Sequence, residues 1–258
     1  MKNILLLTST IRPKANQPQL KLADPEERLR DYRQALDFYV RLVEQGVLDK
    51  IVYADNSGVD LKCLSERFPA GHIEWVSTYD LDYDSSYHRG YGEFRLVDHA
   101  FAASCILSSL GKDDRVWKVT GRYQVKNLAN VIAMTPRHFD LYCNVKGDWA
   151  EMGFMAWSRV GHERIVKGIW QNFATGKVPE LILAEHLKSV PADICKIVTS
   201  FYWSPFIDGR RGSDGSRFQG RFTRVKFLLL LGYKSLVWPF RRLLSAPLQQ
   251  ALERNSRS

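Results

Sequence analysis

The sequence predicts an α/β fold: a mostly parallel, Rossmann-like sheet flanked by helices, followed by a basic amphipathic C-terminal extension. Three observations predict it. Short apolar runs bounded by turn residues alternate with stretches whose apolar residues recur at helical spacing. This strand–helix order continues through the first half of the chain, and parallel strands need such crossovers. The composition, 45% hydrophobic and 25% charged over 258 residues, is that of an ordinary globular protein.

The elements follow in order. Residues 3–8 are an apolar strand, and 24–44 carry Leu29, Tyr32, Ala35, Leu36, Tyr39 and Leu42 at helical spacing. A second strand at 50–54 ends in Asp55-Asn56-Ser57-Gly58, a short helix is expected over 60–67, and a third strand over 73–77. A helix is expected over 92–110, with Phe94, Val97, Ala100, Phe101, Ser104, Cys105 and Leu107 inward, and a fourth strand over 115–120. The second half is less regular. Strands are expected at 131–134, 140–143 and 194–198, 154–158 is another apolar segment, and helices are expected at 163–173 and 180–189. A Gly- and Ser-rich loop then carries Arg210 and Arg211.

Charge is unevenly spread. The net charge is +9, yet from Arg210 to Arg257 nine Arg and two Lys face only Asp214 and Glu253. The rest of the chain is close to neutral, so residues 1–215 read as one domain and 216–258 as a basic tail. That tail interleaves Tyr233, Trp238 and Phe240 with Arg and Lys, a pattern that lies flat on an anionic membrane surface. A helix docked back on the domain is the alternative. The four cysteines are widely spaced, which fits a reducing compartment better than a disulfide framework or a zinc site. The first strand is too short for a signal-peptide core, and no window reaches the roughly 18 apolar residues of a membrane span. A cytoplasmic location, peripheral at the inner face of the membrane, is expected.

Several short motifs can carry chemistry. Asp55, Asn56 and Ser57 can meet a nucleobase edge or ribose hydroxyls, or simply form a turn. Arg89-Gly90-Tyr91-Gly92-Glu93 opens a helix, where free N–H groups and the dipole favour phosphate. Asp80, Asp82 and Asp84 form a D-x-D-x-D run able to offer oxygen ligands to Mg²⁺ or Mn²⁺. Asp148 and Glu151 have capping-box spacing, and either can act as a general base. Arg210 and Arg211 suit a pyrophosphate, because the guanidinium fork binds it bidentately. No G-x-S-x-G, P-loop or H-E-x-x-H motif is present.

This order of motifs resembles the GT-A-type glycosyltransferases, in particular small bacterial enzymes that build surface polysaccharides such as capsule and O-antigen. The resemblance covers roughly residues 1–215. It implies that Thr8 and Ser9 border a nucleotide, that Asp55, Asn56 and Ser57 bind it, and that Gly92 and Glu93 open the helix beside it. One departure stands out. Where that family carries a metal-binding D-x-D, this chain has Lys118-Val119-Thr120-Gly121-Arg122. The metal-free repair has Lys118 and Arg122, with Thr120, Gly121, Arg210 and Arg211, receive the diphosphate. The fallback is a Mn²⁺ or Mg²⁺ ion on Asp80, Asp82 and Asp84.

The expected function is transfer of a sugar from a nucleotide-sugar donor to a hydroxyl of a lipid-linked glycan, with Glu151 or Asp148 as base and Arg122 at the leaving group. No cofactor and no nucleic-acid partner are expected. The rivals are another nucleotide-dependent transferase, nucleotidyl- or phosphotransferase, and a non-enzymatic binder of nucleic acid or anionic lipid.

Overall fold

The computed structural model describes residues 1–14, 20–69, 71–212 and 214–217. The expected basic tail therefore lies, from residue 218 on, outside the described residues. Four parallel strands form the heart of the sheet: β1 (Asn3–Ser9), β2 (Lys50–Asp55), β3 (Ile73–Ser77) and β4 (Arg115–Thr120). Their connections are α1 (Pro25–Glu44), α2 (Lys62–Ser65), and α3 (Arg89–Ala103) with its continuation α4 (Cys105–Ser108). β1 is central and buried from Ile4 onward, which is why it reads as an unbroken apolar run.

Beyond β4 the chain adds β5 (Gln124–Val125), α5 (Leu128–Met134), β6 (Leu141–Tyr142), the hairpin β7 (Val145–Lys146) and β8 (Trp149–Ala150), and β9 (Phe154–Trp157). It ends with α6 (Arg159–Gly161), α7 (Pro179–Ser189), β10 (Ile197–Val198) and β11 (Ile207–Asp208). The seven-stranded order is β10-β6-β9-β4-β1-β2-β3, with β9 antiparallel to both neighbours. β11 pairs with β5 and holds the last described segment against the carboxyl end of the sheet. The α/β, mostly parallel architecture is as the sequence predicts.

Each face of the sheet has its own core. Tyr32, Leu36 and Tyr39 of α1 pack with Tyr53, Trp117 and Val119 on one face. Phe94, Val97 and Ala100 of α3 pack with Ile4, Leu6 and Val52 on the other. Burying each large side chain is worth about 1.5–3 kcal/mol. α1 starts where the sequence says it should: Asp24 accepts from the Glu27 amide at 2.9 Å and Pro25 follows.

Four expectations are corrected. The second long helix, α3, begins at Arg89, capped by His88, and breaks at Ser104, where Glu74 accepts from the Cys105 and Ile106 amides at 2.7 and 3.0 Å and restarts the turn. That break leaves Cys105 exposed rather than inward. Residues 131–134 belong to α5, because four apolar residues cannot show whether their period is 2 or 3.6. Residues 163–173 form a π turn, His162–Val166, and a 3₁₀ turn, Ile169–Phe173, separated by Gly168 at φ 77°. Asp148 lies in the turn of the β7–β8 hairpin, so the capping-box reading fails.

Candidate functional site

A cavity of about 940 Å³ opens at the carboxyl ends of β1 and β4, where open α/β sheets bind their ligands. The end of β1 contributes Thr8 and Ser9, the loop after it Thr10, and the turn after β2 Asn56. From the start of α3 come Arg89 and Glu93, and from the end of β4 Thr120 and Arg122. The β7–β8 hairpin supplies Lys146 and Trp149, followed by Glu151; α7 supplies Glu180, and Arg211 closes the far wall.

Nine of the predicted site residues thus meet at one cavity: Thr8, Ser9, Asn56, Arg89, Glu93, Thr120, Arg122, Glu151 and Arg211. The others are placed elsewhere, each for a visible reason. Asp55 is fully buried and its carboxylate is saturated: Oδ2 accepts from Ser9 Oγ and the Ile11 amide at 2.7 and 2.9 Å, and Oδ1 from the Ser57 amide and hydroxyl at 2.8 and 2.5 Å. Ser57 Oγ in turn accepts from the Arg12 amide at 3.1 Å. This pair ties the β1 and β2 loops together and does not line the cavity.

Lys118 is also fully buried, its ammonium donating to Glu93 Oε1 at 2.6 Å and the Met152 carbonyl at 2.7 Å. It is spent on an internal ion pair and does not line the cavity. Gly92 faces Tyr83, whose Cζ would lie 2.9 Å from an added Cβ, so its smallness makes room for a side chain rather than a phosphate. Gly121 donates to the Thr8 carbonyl at 2.8 Å, joining the ends of β4 and β1. Arg210 turns back onto α1, bound by Asp31 at 3.0 Å and Glu27 at 3.6 Å. Asp148 is exposed and bridged to Lys188 at 2.5 Å.

The aspartates of the D-x-D-x-D run do not converge. Asp80 pairs with Arg95 at 2.8 Å, Asp84 caps the Ser86 amide of its own loop, and Leu81 and Tyr83 line the cavity instead. Among the described residues no group of three or more His, Cys, Asp or Glu is placed to hold a metal ion. As placed, this run does not fit a divalent cation.

The cavity's electrostatics centre on Arg122. Only 8% of it is exposed, and its Nε and Nη1 meet no hydrogen-bond partner among the described residues. Buried guanidinium donors left unpaired are costly, a cost that an acceptor entering the cavity would relieve. An added Cβ on Gly212 would lie 2.9 Å from Arg122 Nη2 and 3.1 Å from Arg89 Nη1, so both guanidiniums converge on that glycine. The Gly212 carbonyl accepts from the Lys21 and Leu22 amides, which fastens the Arg-Arg-Gly loop across to the β1–α1 connection. Burial raises the Tyr123 hydroxyl pKa, while the charges of Arg122, Arg89 and Arg211 pull it the other way.

Glu93 is the internal counterion. Burial disfavours its charge, but Lys118 and hydrogen bonds from Lys118, Thr120 and Thr8 prevail and hold its pKa below the ordinary value. Sequence reasoning missed Arg28, Tyr32, Trp149 and Glu180. Arg28 donates to the Thr10 and Leu22 carbonyls at 2.6 and 2.9 Å and shapes the loop after β1. Its i, i+4 spacing from buried Tyr32 is the signal that could have found it. Glu180 follows Pro179 in a first turn, where an acidic residue is unexceptional, so spacing gives no signal for it.

No family model matches the chain, and no curated protein matches it in sequence. Solved structures do resemble it. One, from Desulfovibrio desulfuricans G20 and assigned as a nucleotide-diphospho-sugar transferase, aligns over 79% of this chain and 84% of its own, at 12% identity and TM-score 0.45. The inositol-1-phosphate CTP transferase of T. maritima aligns over 83% and 89%, at 9% identity and TM-score 0.44. The CTP:phosphocholine cytidylyltransferase of Streptococcus pneumoniae aligns over 89% and 98%, at 12% and 0.40. The likeness is loose at this level, and the fold class rests on the chain's own strand order.

Proposed function

We propose that the protein is a nucleotide-dependent transferase that moves a sugar from a nucleotide-sugar donor to a hydroxyl of a glycan acceptor. One observation carries the reading: the buried Arg122 guanidinium, with two N–H donors that meet no partner among the described residues, stands beside Arg89 at the wall of a cavity of about 940 Å³. A planar guanidinium that lacks an internal carboxylate suits a diphosphate, and its charge is worth most where a leaving group becomes anionic. Thr10 and Asn56, joined by a hydrogen bond from Thr10 Oγ1 to Asn56 Oδ1 at 2.6 Å, line the cavity at the ends of β1 and β2 where the nucleoside would lie. Arg89, Arg122 and Arg211 receive the diphosphate without a metal ion. The basic tail, read from sequence, holds the enzyme at the inner, anionic face of the membrane, where a lipid-linked acceptor would be met; that membrane, rather than nucleic acid, is its polyanionic partner.

A calorimetric panel of UDP-, GDP-, CMP- and TDP-sugars, run with Mn²⁺ and in excess chelator, tests this. One sugar nucleotide is expected to bind in chelator with its affinity reduced at least tenfold by Arg122→Ala. Binding of nucleoside triphosphates alone, and only with metal, would favour nucleotidyl transfer instead.

A further inference from the structure

The geometry points to Glu180 as the carboxylate that takes the proton from the attacking hydroxyl, an inference that rests on the glycosyl-transfer reading above. Three carboxylates line the cavity: Glu93, Glu151 and Glu180. Glu93 is committed to Lys118, Thr8 and Thr120, and an oxygen that already accepts three donors is a poor proton acceptor. Glu180 differs. Its Oε2 is buried and meets no hydrogen-bond partner among the described residues, on a side chain that lines the cavity; among the described residues no oxygen of Glu93 or Glu151 is buried and unpartnered in this way.

Local packing sets it there. Pro179, the first residue of α7, abuts the start of α3 so closely that a Cβ on Gly90 would lie 2.8 Å from Pro179 Cγ. The start of α7 therefore lies against the helix that carries Arg89, and Glu180 lines the same cavity as Arg89. Burial raises its pKa above the ordinary carboxylate range; Glu93 acts in the same direction, while Arg89 and Lys118 oppose it. Trp149–Ala150 and Ile169–Phe173, also packed on α7, bring no titratable group. A carboxylate tuned upward is the better base near neutral pH.

In the reaction the acceptor oxygen bonds to the anomeric carbon of the donor sugar. The bond from that carbon to the diphosphate oxygen breaks, and its electron pair leaves on the diphosphate beside Arg89 and Arg122. The hydroxyl proton passes to the Glu180 carboxylate and goes to solvent once the product departs. A base that only removes a proton leaves a single displacement, so the anomeric configuration inverts.

Donor hydrolysis, with water as the acceptor, tests the assignment using whichever sugar nucleotide binds the wild-type chain. Glu180→Gln is expected to bind that donor within threefold of wild type and to hydrolyse it about 10²–10⁴-fold more slowly. Wild-type kcat/KM should fall as pH drops through a group titrating above the ordinary carboxylate range, and Glu180→Gln should lose that acidic limb. Glu180→Asp should keep the limb at reduced rate. The released sugar, observed by NMR before it mutarotates, should be inverted. Hydrolysis within threefold of wild type, an acidic limb that persists in Glu180→Gln, or retention would each overturn the role of Glu180. Failure of the wild-type chain to bind any sugar nucleotide would overturn the glycosyl-transfer reading itself, and the assignment with it.

Discussion

Asp55 and Arg122 invite comparison. Both are buried charges at carboxyl ends of the same sheet, one closing β2 and the other two residues past β4. Asp55 has four protein donors on its two oxygens. Arg122 has two guanidinium nitrogens with none among the described residues. A buried charge persists only when it is paired or when something else completes it. The difference separates a charge the fold uses to fasten its loops from a charge that, on the proposed function, meets a ligand, a distinction that residue type alone does not make.

The largest expected effect breaks the comparison on the Arg122 side. Arg122→Ala should lower donor turnover about 10²–10³-fold while leaving stability within about 1 kcal/mol, since removing unpaired buried donors offsets the lost packing. Steady-state kinetics and urea unfolding measure the two quantities. If stability collapses and turnover per folded molecule survives, Arg122 belongs with Asp55. The reciprocal substitution, Asp55→Ala, should cost about 3 kcal/mol in urea unfolding, because Ser9, Ile11 and Ser57 lose a charged acceptor. Donor affinity of the molecules that remain folded should change by less than about threefold.

Lys118 and Glu93 sharpen the comparison, because here a buried cation is paired. Glu93→Gln should destabilise by about 2 kcal/mol, discounted from a fully buried pair because Glu93 reaches the cavity. The pH dependence follows from the lowered pKa of Glu93. Its contribution is fully present above the ordinary glutamate value of 4.5 and is lost as pH falls through the lower folded value. Unfolding midpoints measured between neutral and acid pH should therefore drop for the wild type, and drop less for Glu93→Gln.

The same contrast explains what the sequence could and could not reveal. β1 to β4 and α1 were legible because buried parallel strands are apolar runs and α1 carries its cap, proline and apolar stripe in register. The cavity was legible in outline because strand ends place their residues together regardless of loop detail. Pairing was not legible. Lys118 and Glu93 are 25 positions apart, and nothing in Lys-Val-Thr-Gly-Arg says that its lysine is neutralised internally while its arginine is not. Likewise Arg210 and Arg211 are adjacent and chemically identical, yet Asp31 and Glu27 claim the first and the second lines the cavity.

The smallest effect concerns a carboxylate that the hairpin keeps out of the cavity. Asp148 and Glu151 are equivalent candidates on paper, three residues apart with an aromatic between them. The hairpin separates them: its turn throws Asp148 into solvent against Lys188, while Glu151 follows β8 into the cavity. An exposed ion pair of this kind contributes about 0.2–1 kcal/mol, so Asp148→Asn should shift urea unfolding by no more than that and leave donor turnover unchanged. Its stability increment should also vanish at high salt, because screening acts on exposed pairs first. A tenfold loss of turnover in Asp148→Asn would place a catalytic carboxylate outside the cavity, and would remove the distinction between internally paired and ligand-facing charge on which the site is built.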